Sequence, residues 1–327
     1  MKKPKALVLF SGGLDSILAV RILQEQGIDV EAVHFVNPFS SEKNPVDEYA
    51  KTFGFRLHKI KLGKDYINLI KNPKHGYGSH MNPCMDCRIY MLKKAKALAK
   101  KIGADFIATG EVVGERSMSQ QRDQLMLIEK EAELENKIVR PLSAKNLPPT
   151  EAEKRGLIKR ENLFGIRGKR RTPQMKLAEK YGIEKYPTPS GGCLLTDENF
   201  ARKLRDLFDH KKRIALQDIE FLKLGRHFRY RNTKFIVGRN QEENEKLLKL
   251  AKKTGLGWME VKGYPGPVTV IDGKSDGDIL KKAAALTVFY SDAPENKEIN
   301  VVYIKGKRKK ELKTRALNRE KVEEMRI

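Results

Sequence analysis

Three groups of residues in this chain have the types and spacing to do chemistry. The first is Ser11-Gly12-Gly13-Leu14-Asp15-Ser16. Adjacent glycines let a backbone approach a ligand closely and take dihedrals closed to other residues. The Ser11 and Ser16 hydroxyls can donate hydrogen bonds, and Asp15 suits a cation or a positive group beside an anion. The stretch is not a Walker A loop, because it lacks both the G-x-x-x-x-G-K-[ST] spacing and the lysine. The second group is the cysteines: Cys84 and Cys87 in Asn82-Pro83-Cys84-Met85-Asp86-Cys87-Arg88, and Cys193 in Pro189-Ser190-Gly191-Gly192-Cys193-Leu194-Leu195. Flanking Pro and Gly predict that each thiol lies on a loop. A helix starting after Cys87 is expected to lower its pKa toward thiolate. Three cysteines argue against a disulfide framework and cannot form an all-cysteine zinc site. A site of three cysteines and one histidine has His80 as its nearest candidate, at a spacing that fits no common finger. Three thiolates do suit a 4Fe–4S cluster with one iron left open. The third group is basic: Arg167, Lys169, Arg170 and Arg171 within five residues, then Arg229 and Arg231 interleaved with aromatics, then Lys307 and Arg308 in a run with Lys309, Lys310 and Lys313.

The elements that must position these groups follow from periodicity. Residues 6–10 read as a buried strand, 17–26 as a helix closed by Gly27, and 30–36 as a second strand. A helix is expected over 44–53, a strand over 56–62, a helical pattern over 66–70, an amphipathic helix over 88–102 and a strand over 105–108. Strands alternating with helices imply an α/β fold, a parallel sheet with helices on both faces, whose ligands bind outside the carboxyl ends of the strands. That rule gathers residues 11–16, the segment after Val36, and Thr109-Gly110-Glu111 on one rim. Residues 186–192 read as a rigid-then-flexible arm carrying Cys193, after a short helix over 175–181. Beyond Thr196 the pattern changes, with helices over 199–210 and 219–222 and a turn-rich basic–aromatic stretch over 224–231. That stretch suits either a base-stacking clamp or an exposed strand.

At 327 residues the chain is expected to form two domains, 1–198 and 199–327, the second a smaller α+β unit. Lys and Arg number 66 against 42 Asp and Glu, and the net charge of +24 suits a polyanion, nucleic acid ahead of membrane. A lysine-rich thermophile surface would bring matching Glu and little net charge. No apolar run approaches a membrane span and the N-terminal stretch lacks a signal peptide's apolar core, so a cytoplasmic location is expected.

The SGGLDS turn after a first strand resembles the PP-loop of the ATP pyrophosphatase superfamily, whose members transfer AMP to an oxygen and release pyrophosphate. Residues 109–121, with Arg140-Pro141-Leu142, resemble the PP-loop domain of tRNA 4-thiouridine synthetases, which carry a T-G-E, a glycine, a Ser-Gln pair and an R-P-L. This implies ATP and Mg²⁺ as cofactors, with Ser11, Gly12, Gly13, Asp15 and Ser16 on the phosphates, Phe35 near the adenine, and Gly110 and Glu111 lining the nucleotide site. The cysteines resemble two patterns. With Cys84, Cys87 and Cys193 as ligands, they resemble the cluster-dependent branch of tRNA thiolation enzymes, in which an open iron holds sulfide. With Cys87 and Cys193 as a catalytic pair, they resemble the 2-thiouridylases. From Lys234-Phe235-Ile236-Val237-Gly238-Arg239-Asn240 onward, through Gly257-Trp258, Tyr264-Pro265-Gly266 and Tyr290-Ser291, the chain resembles the RNA-binding domain of the NFACT proteins. It departs at Met259-Glu260-Val261, where that family carries a histidine.

Together these resemblances imply a tRNA sulfurtransferase that adenylates a uridine oxygen and replaces it with sulfur. Asp15 and the three cysteines would carry the chemistry, and Arg167, Lys169, Arg170, Arg171, Arg229, Arg231, Arg239, Lys307 and Arg308 would hold RNA. The implied partners are tRNA and a sulfur donor, sulfide or a persulfide carrier. Residues 109–121 favour 4-thiouridine, whereas the cysteine placement is shared with 2-thiouridine enzymes. Two other readings stay open: sulfur insertion into a small molecule, and a non-catalytic RNA-binding factor with a vestigial loop.

Overall fold

Strand β1 (Lys5–Leu9) sends alternate side chains to opposite faces of a sheet, and each face meets its own hydrophobic core. Ala6 and Val8 join the core on one face, and Leu7 and Leu9 join the core on the other. Burial on both faces is why the strand reads as a continuous apolar run. The computed structural model describes residues 3–40, 45–186 and 193–327. The chain divides into two compact units, Met1–Thr196 and Asp197–Ile327.

In the first unit β1 is followed by α1 (Leu14–Glu25), β2 (Asp29–Val36), α2 (Val46–Thr52), β3 (Arg56–Lys61) and α3 (Lys64–Lys71). Then come α4 (Cys84–Ile102), β4 (Phe106–Thr109), α5 (Arg122–Glu131), the two-residue β5 (Ile138–Val139), α6 (Glu151–Lys154) and α7 (Thr172–Lys180). The sheet order is β3-β2-β1-β4-β5, and every pair is parallel. Helices α1 and α7 cover one face with Leu14, Ile17, Leu18, Leu177 and Ala178, while α4 covers the other with Met85, Ile89, Leu92, Ala95 and Ala99. That second set recurs at helical spacing, and Gly103, in the left-handed conformation at φ 65°, ends α4. The chain leaves β1 toward β2 and β3 on one side and later returns beside β1 as β4, so strand order reverses between β1 and β4. A crevice opens at such a reversal, outside the carboxyl ends of the two strands.

The second unit contains α8 (Glu198–His210), α9 (Leu216–Leu222), β6 (Arg226–Tyr230), β7 (Thr233–Val237), α10 (Gln241–Thr254), β8 (Gly257–Val261) and β9 (Thr269–Asp272). It closes with α11 (Gly277–Phe289), β10 (Ile299–Lys305), β11 (Arg308–Thr314) and α12 (Arg319–Glu324). Its sheet, in the order β11-β10-β8-β9-β7-β6, is antiparallel throughout. Phe235, Met259 and Ile271 face the core shared with α11; Ile236, Trp258 and Val270, one position away on the same strands, face the core shared with α9 and α10.

Several expectations change here. Of the two readings of residues 224–231, the structure has the strand: β6 pairs with β7, and Phe228 is fully buried and unavailable for stacking a base. The basic run after Lys305 is an ordered hairpin, in which Gly306, at φ 58°, turns β10 into β11 and the basic side chains of β11 stand exposed. Cys84 and Cys87 lie in the first turn of α4, which starts after Pro83, four residues earlier than the apolar spacing indicates. The start of the expected 44–53 helix and the arm over 187–192 lie outside the described residues.

Candidate active site

The turn between β1 and α1 is built by its own side chains. Gly12 has φ 83°, a conformation that favours glycine, whereas Gly13 has ordinary extended dihedrals at the N-terminus of α1. The Gly12 amide donates to Ser16 Oγ at 3.1 Å, the Gly13 amide to Ser11 Oγ at 3.3 Å, and Ser16 Oγ donates to the Gly13 carbonyl at 2.7 Å. These bonds fix the loop, and α1 begins uncapped by any side chain, the arrangement that leaves a helix start able to receive an anion. Gly110, at the end of β4, closes the other wall. A Cβ there would lie 2.4 Å from the Asp15 carbonyl, so glycine is what allows β4 and α1 to meet this closely.

Asp15 lies in the first turn of α1 with its carboxylate mostly buried, and Arg171 Nη2 is 3.8 Å from one of its oxygens. Burial pushes the Asp15 carboxyl above its ordinary pKa, against the pull of Arg171, Gln174 and Arg116. A mostly buried carboxylate at a helix start beside a glycine turn fits, by the chemistry of its donor, a divalent cation carried in with a polyphosphate. Phe35 is half-buried one residue before the end of β2. Glu111 turns its carboxylate inward: Thr109 Oγ1 donates to it at 2.9 Å and Arg140 Nε at 3.1 Å, Arg88 lies 3.0 Å away, and Arg140 also bonds Glu129. Burial opposes its ionisation, yet Arg88 and Arg140 outweigh burial and hold the carboxyl below its ordinary range.

This ion network locks the end of β4 to α4 and β5. Removing one member of a buried set strands the others, so Glu111→Gln is expected to cost about 3–5 kcal/mol, read as a lower urea midpoint at unchanged slope. Because the folded pKa is depressed, the carboxylate's contribution is complete above its ordinary value of 4.5 and is lost as pH falls through the folded pKa. The gap between wild type and variant should therefore narrow in acid.

The thiols gather on the same rim. Cys84 and Cys87 share the first turn of α4, and Cys193 is brought to them by backbone pairing. It bridges Ser40 beyond β2, Leu194 N–H donates to Phe39 O at 2.9 Å, and Met81 N–H donates to Leu195 O at 3.1 Å. Cys193 lies within electrostatic reach of both other thiols. The expected thiolates are not what this setting favours. Burial raises all three thiol pKa values, Cys193 to about 11, and outweighs the nearby Arg88 and Arg116 at Cys84 and the Tyr66 hydrogen bond at Cys87. Tyr66, which nothing in its helical pattern singles out, shares a 3.0 Å hydrogen bond with Cys87 Sγ and takes a weak one from Asn37 at 3.5 Å. Arg116 is exposed, has no ion-pair or hydrogen-bond partner among the described residues, and acts electrostatically on Asp15, Cys84 and Cys193. Three thiols suit an iron–sulfur cluster in kind and number. Among the described residues, no group of three His, Cys, Asp or Glu side chains is set as a ready metal cage.

The basic residues separate into two kinds. Arg167, Lys169 and Arg170 are exposed, while Arg171 of the same run turns inward to Asp15 and to Glu115 at 4.0 Å. In the second unit Arg229 is paired with Asp206, Arg239 with Glu243, and Arg231 with Asp278 at 3.2 Å, whereas Lys307 and Arg308 stand exposed in the hairpin.

A doubly wound α/β domain with a glycine turn, a buried carboxylate and three thiols defines the class of the first unit; an antiparallel α+β domain with a basic edge is the second. Residues 2–146 match the family model described as thiamine biosynthesis protein (ThiI), and residues 225–326 match that described as NFACT protein RNA binding domain. Each of the two families that the sequence motifs resemble thus has a model that matches one segment of the chain. It is similar to the "Probable tRNA sulfurtransferase" of Alkaliphilus metalliredigens, 33% identical over 114 residues, 34% of this chain and 29% of that protein. It is also similar to the "tRNA-specific 2-thiouridylase MnmA" of Sulfurimonas denitrificans, 32% identical over 118 residues, 33% of this chain and 35% of that protein. The chain therefore spans about a third of the length of the curated relatives it matches. A solved 4-thiouridine synthetase–RNA complex with bound ATP aligns at TM-score 0.39 and 22% identity, over 67% of this chain and 52% of that one.

Proposed function

We propose that the protein is an ATP-dependent tRNA sulfurtransferase that thiolates uridine, at the 4-position in preference to the 2-position, in the cytoplasm. The observation that carries this reading is the meeting of a glycine turn, a buried carboxylate and three converging thiols in a segment that matches the ThiI family model, in a chain whose later segment matches the NFACT RNA-binding model. In the first half-reaction a uridine oxygen attacks the α-phosphorus of ATP, the bond to the β-phosphate oxygen breaks, and pyrophosphate leaves. First-turn amides of α1 stabilise the charge that develops on it, and Asp15 holds the accompanying Mg²⁺. In the second, a sulfur nucleophile attacks the activated ring carbon, the carbon–oxygen bond breaks, and AMP departs with the former base oxygen. Activation is needed because oxide is a poor leaving group and AMP a good one. Cys84, Cys87 and Cys193 would hold a 4Fe–4S cluster, which when bound supplies an open iron to carry sulfide. Arg116, within electrostatic reach of both Asp15 and the thiols, balances the charge of the adenylate while sulfur is delivered.

The decisive experiment is mass spectrometry of tRNA nucleosides from cells with and without the gene. Loss of 4-thiouridine, restored by the wild-type gene and not by an Asp15 variant, is the expected result. Loss of 2-thiouridine alone would move the ring position, and an unchanged nucleoside profile would overturn the reading.

RNA binding is expected to draw on the β10–β11 hairpin. Truncating from Phe228 would cut β6 and the core it fills, so surface substitution is the cleaner test. Changing Lys307, Arg308, Lys309 and Lys310 together to Gln should weaken tRNA binding and flatten the slope of log K against log salt. Each phosphate that the hairpin no longer neutralises takes about 0.7–0.9 off that slope. An unchanged slope would place the RNA grip elsewhere.

A further inference from the structure

Tyr66 sits in the first turn of α3 and is fully buried. Its ring centroid lies 6.1 Å from that of Phe39 and 5.4 Å from that of Tyr90. A phenylalanine would serve that packing equally well. The hydroxyl is the costly part, because a buried O–H needs a partner. It meets the thiols: Cys87 Sγ is 3.0 Å away, and Cys193 lies within electrostatic reach. Cys84, in the same turn of α4 as Cys87, is bonded instead to Asn82.

Which atom donates between Tyr66 and Cys87 is decided at Asn37. The Phe39 N–H donates to Asn37 Oδ1 at 2.9 Å, which fixes the orientation of that amide. Its Nδ2 therefore faces the Tyr66 oxygen, and an amide NH₂ can only donate. With that side of the hydroxyl accepting, its proton is directed to Cys87 Sγ, the other hydrogen-bond partner of Tyr66 among the described residues. A phenol keeps its proton at neutral pH, so the donor is present throughout. The bonds run one way, from Phe39 through Asn37 and Tyr66 to the sulfur, and each link in such a chain polarises the next. The Phe39 carbonyl also accepts Leu194 N–H at 2.9 Å. One residue thus seats the segment that carries Cys193 and orients the donor to Cys87.

We propose that Tyr66 is a positioning residue for sulfur delivery, whose hydroxyl donates to Cys87 Sγ, fixes that side chain and stabilises negative charge on its sulfur. The inference rests on the reading of the three thiols as the place where sulfur is delivered, and it adds the group that makes Cys87 unlike Cys84. An O–H donated to sulfur favours whichever form carries more charge. That is the thiolate over the thiol, and a reduced cluster over an oxidised one. Tyr66 acts through Cys87 rather than on the substrate.

The test compares Tyr66→Phe with wild type in the full-length chain, in two forms. In anaerobic protein loaded with iron and sulfide, iron content should match wild type while the midpoint potential moves to a more negative value. In metal-free chains that keep a single thiol, iodoacetamide alkylation reads one cysteine at a time. With Cys84→Ser and Cys193→Ser in place, Tyr66→Phe should slow alkylation of Cys87 about 10-fold, the scale of one hydrogen bond to a charged group. With Cys87→Ser and Cys193→Ser in place, alkylation of Cys84 should be unchanged. Asn37→Asp keeps the ring and turns the donor away. A carboxylate accepts both the Phe39 N–H and the Tyr66 O–H, so Cys87 should again react more slowly. A merely structural tyrosine would alter both thiols alike and leave the rate in Asn37→Asp at the wild-type value. Equal changes at Cys87 and Cys84, no slowing at Cys87 in either variant, or an unmoved potential in iron-loaded protein would overturn the inference while leaving the thiolation reading intact. Wild-type protein that takes up no iron would remove the cluster from that reading, and the alkylation rates would then decide the inference alone. If Tyr66→Phe does not fold, Asn37→Asp decides.

Discussion

Asp15→Asn is expected to abolish adenylation, lowering ATP–pyrophosphate exchange by at least about 10³-fold, the scale reached when an electrostatic group aimed at a phosphoryl transition state is removed. The substitution keeps the shape and removes one charge from a position where burial already disfavours that charge, so folding should be preserved. The asparagine cannot hold Mg²⁺ as a carboxylate does, and it leaves Arg171 without its counter-charge. Binding of tRNA, measured by anisotropy, should change less than twofold. Exchange at the wild-type rate would sink the assignment of Asp15 to the nucleotide site.

The cysteine variants separate two ways of delivering sulfur. A cluster needs Cys84, Cys87 and Cys193 together, so any single Cys→Ser should abolish iron binding and thiolation alike. A persulfide relay needs Cys193 and one partner, most simply Cys87, and Cys84→Ser should then remain active. The raised pKa of all three thiols bears on this choice: an uncharged thiol is a poor nucleophile, whereas bound iron displaces the proton. Anaerobic protein should be brown with several irons per chain, and air should bleach it and stop thiolation. Colourless, iron-free protein that thiolates tRNA with Cys84→Ser would exclude the cluster.

The parallel sheet was legible because strands buried on both faces are forced into unbroken apolar runs such as Ala6-Leu7-Val8-Leu9, and because Gly27 and Gly103 mark helix ends in their own residue types. The place of Asp15 at a glycine turn opening a helix was legible because an apolar run, paired glycines and a helical pattern follow one another there. Tertiary contacts hid the rest. Arg171 sits among Lys169 and Arg170, and only the docking of residues 167–168 on Val113 turns it inward. The upward shift of the thiols could not be foreseen either: a helix start lowers a thiol pKa and so does the Tyr66 hydrogen bond at Cys87, but burial, which depends on tertiary packing, outweighs them. The two-residue β5 is too short for any period, and Phe228 reads as a clamp residue until β7 and α11 close over it.

The two edges of the second unit's sheet are protected differently. Along β6 the chain itself makes the cover, with Arg229 N–H donating to Met325 O at 2.7 Å and Ile327 N–H to His227 O at 3.0 Å. Among the described residues no strand lies outside β11, whose exposed Arg308, Lys309 and Lys310 line an open ladder of backbone donors and acceptors. Like-charged side chains on such a ladder repel a second copy that would otherwise add strand to strand. The same residues that are read as phosphate contacts thus also guard against self-association. The quadruple Gln variant should lose both properties together, so concentration-dependent light scattering belongs beside its salt titration. RNA bound at this edge would neutralise the repulsion while covering the ladder, which makes protein stripped of RNA and held at high salt the state most exposed to edge-to-edge pairing.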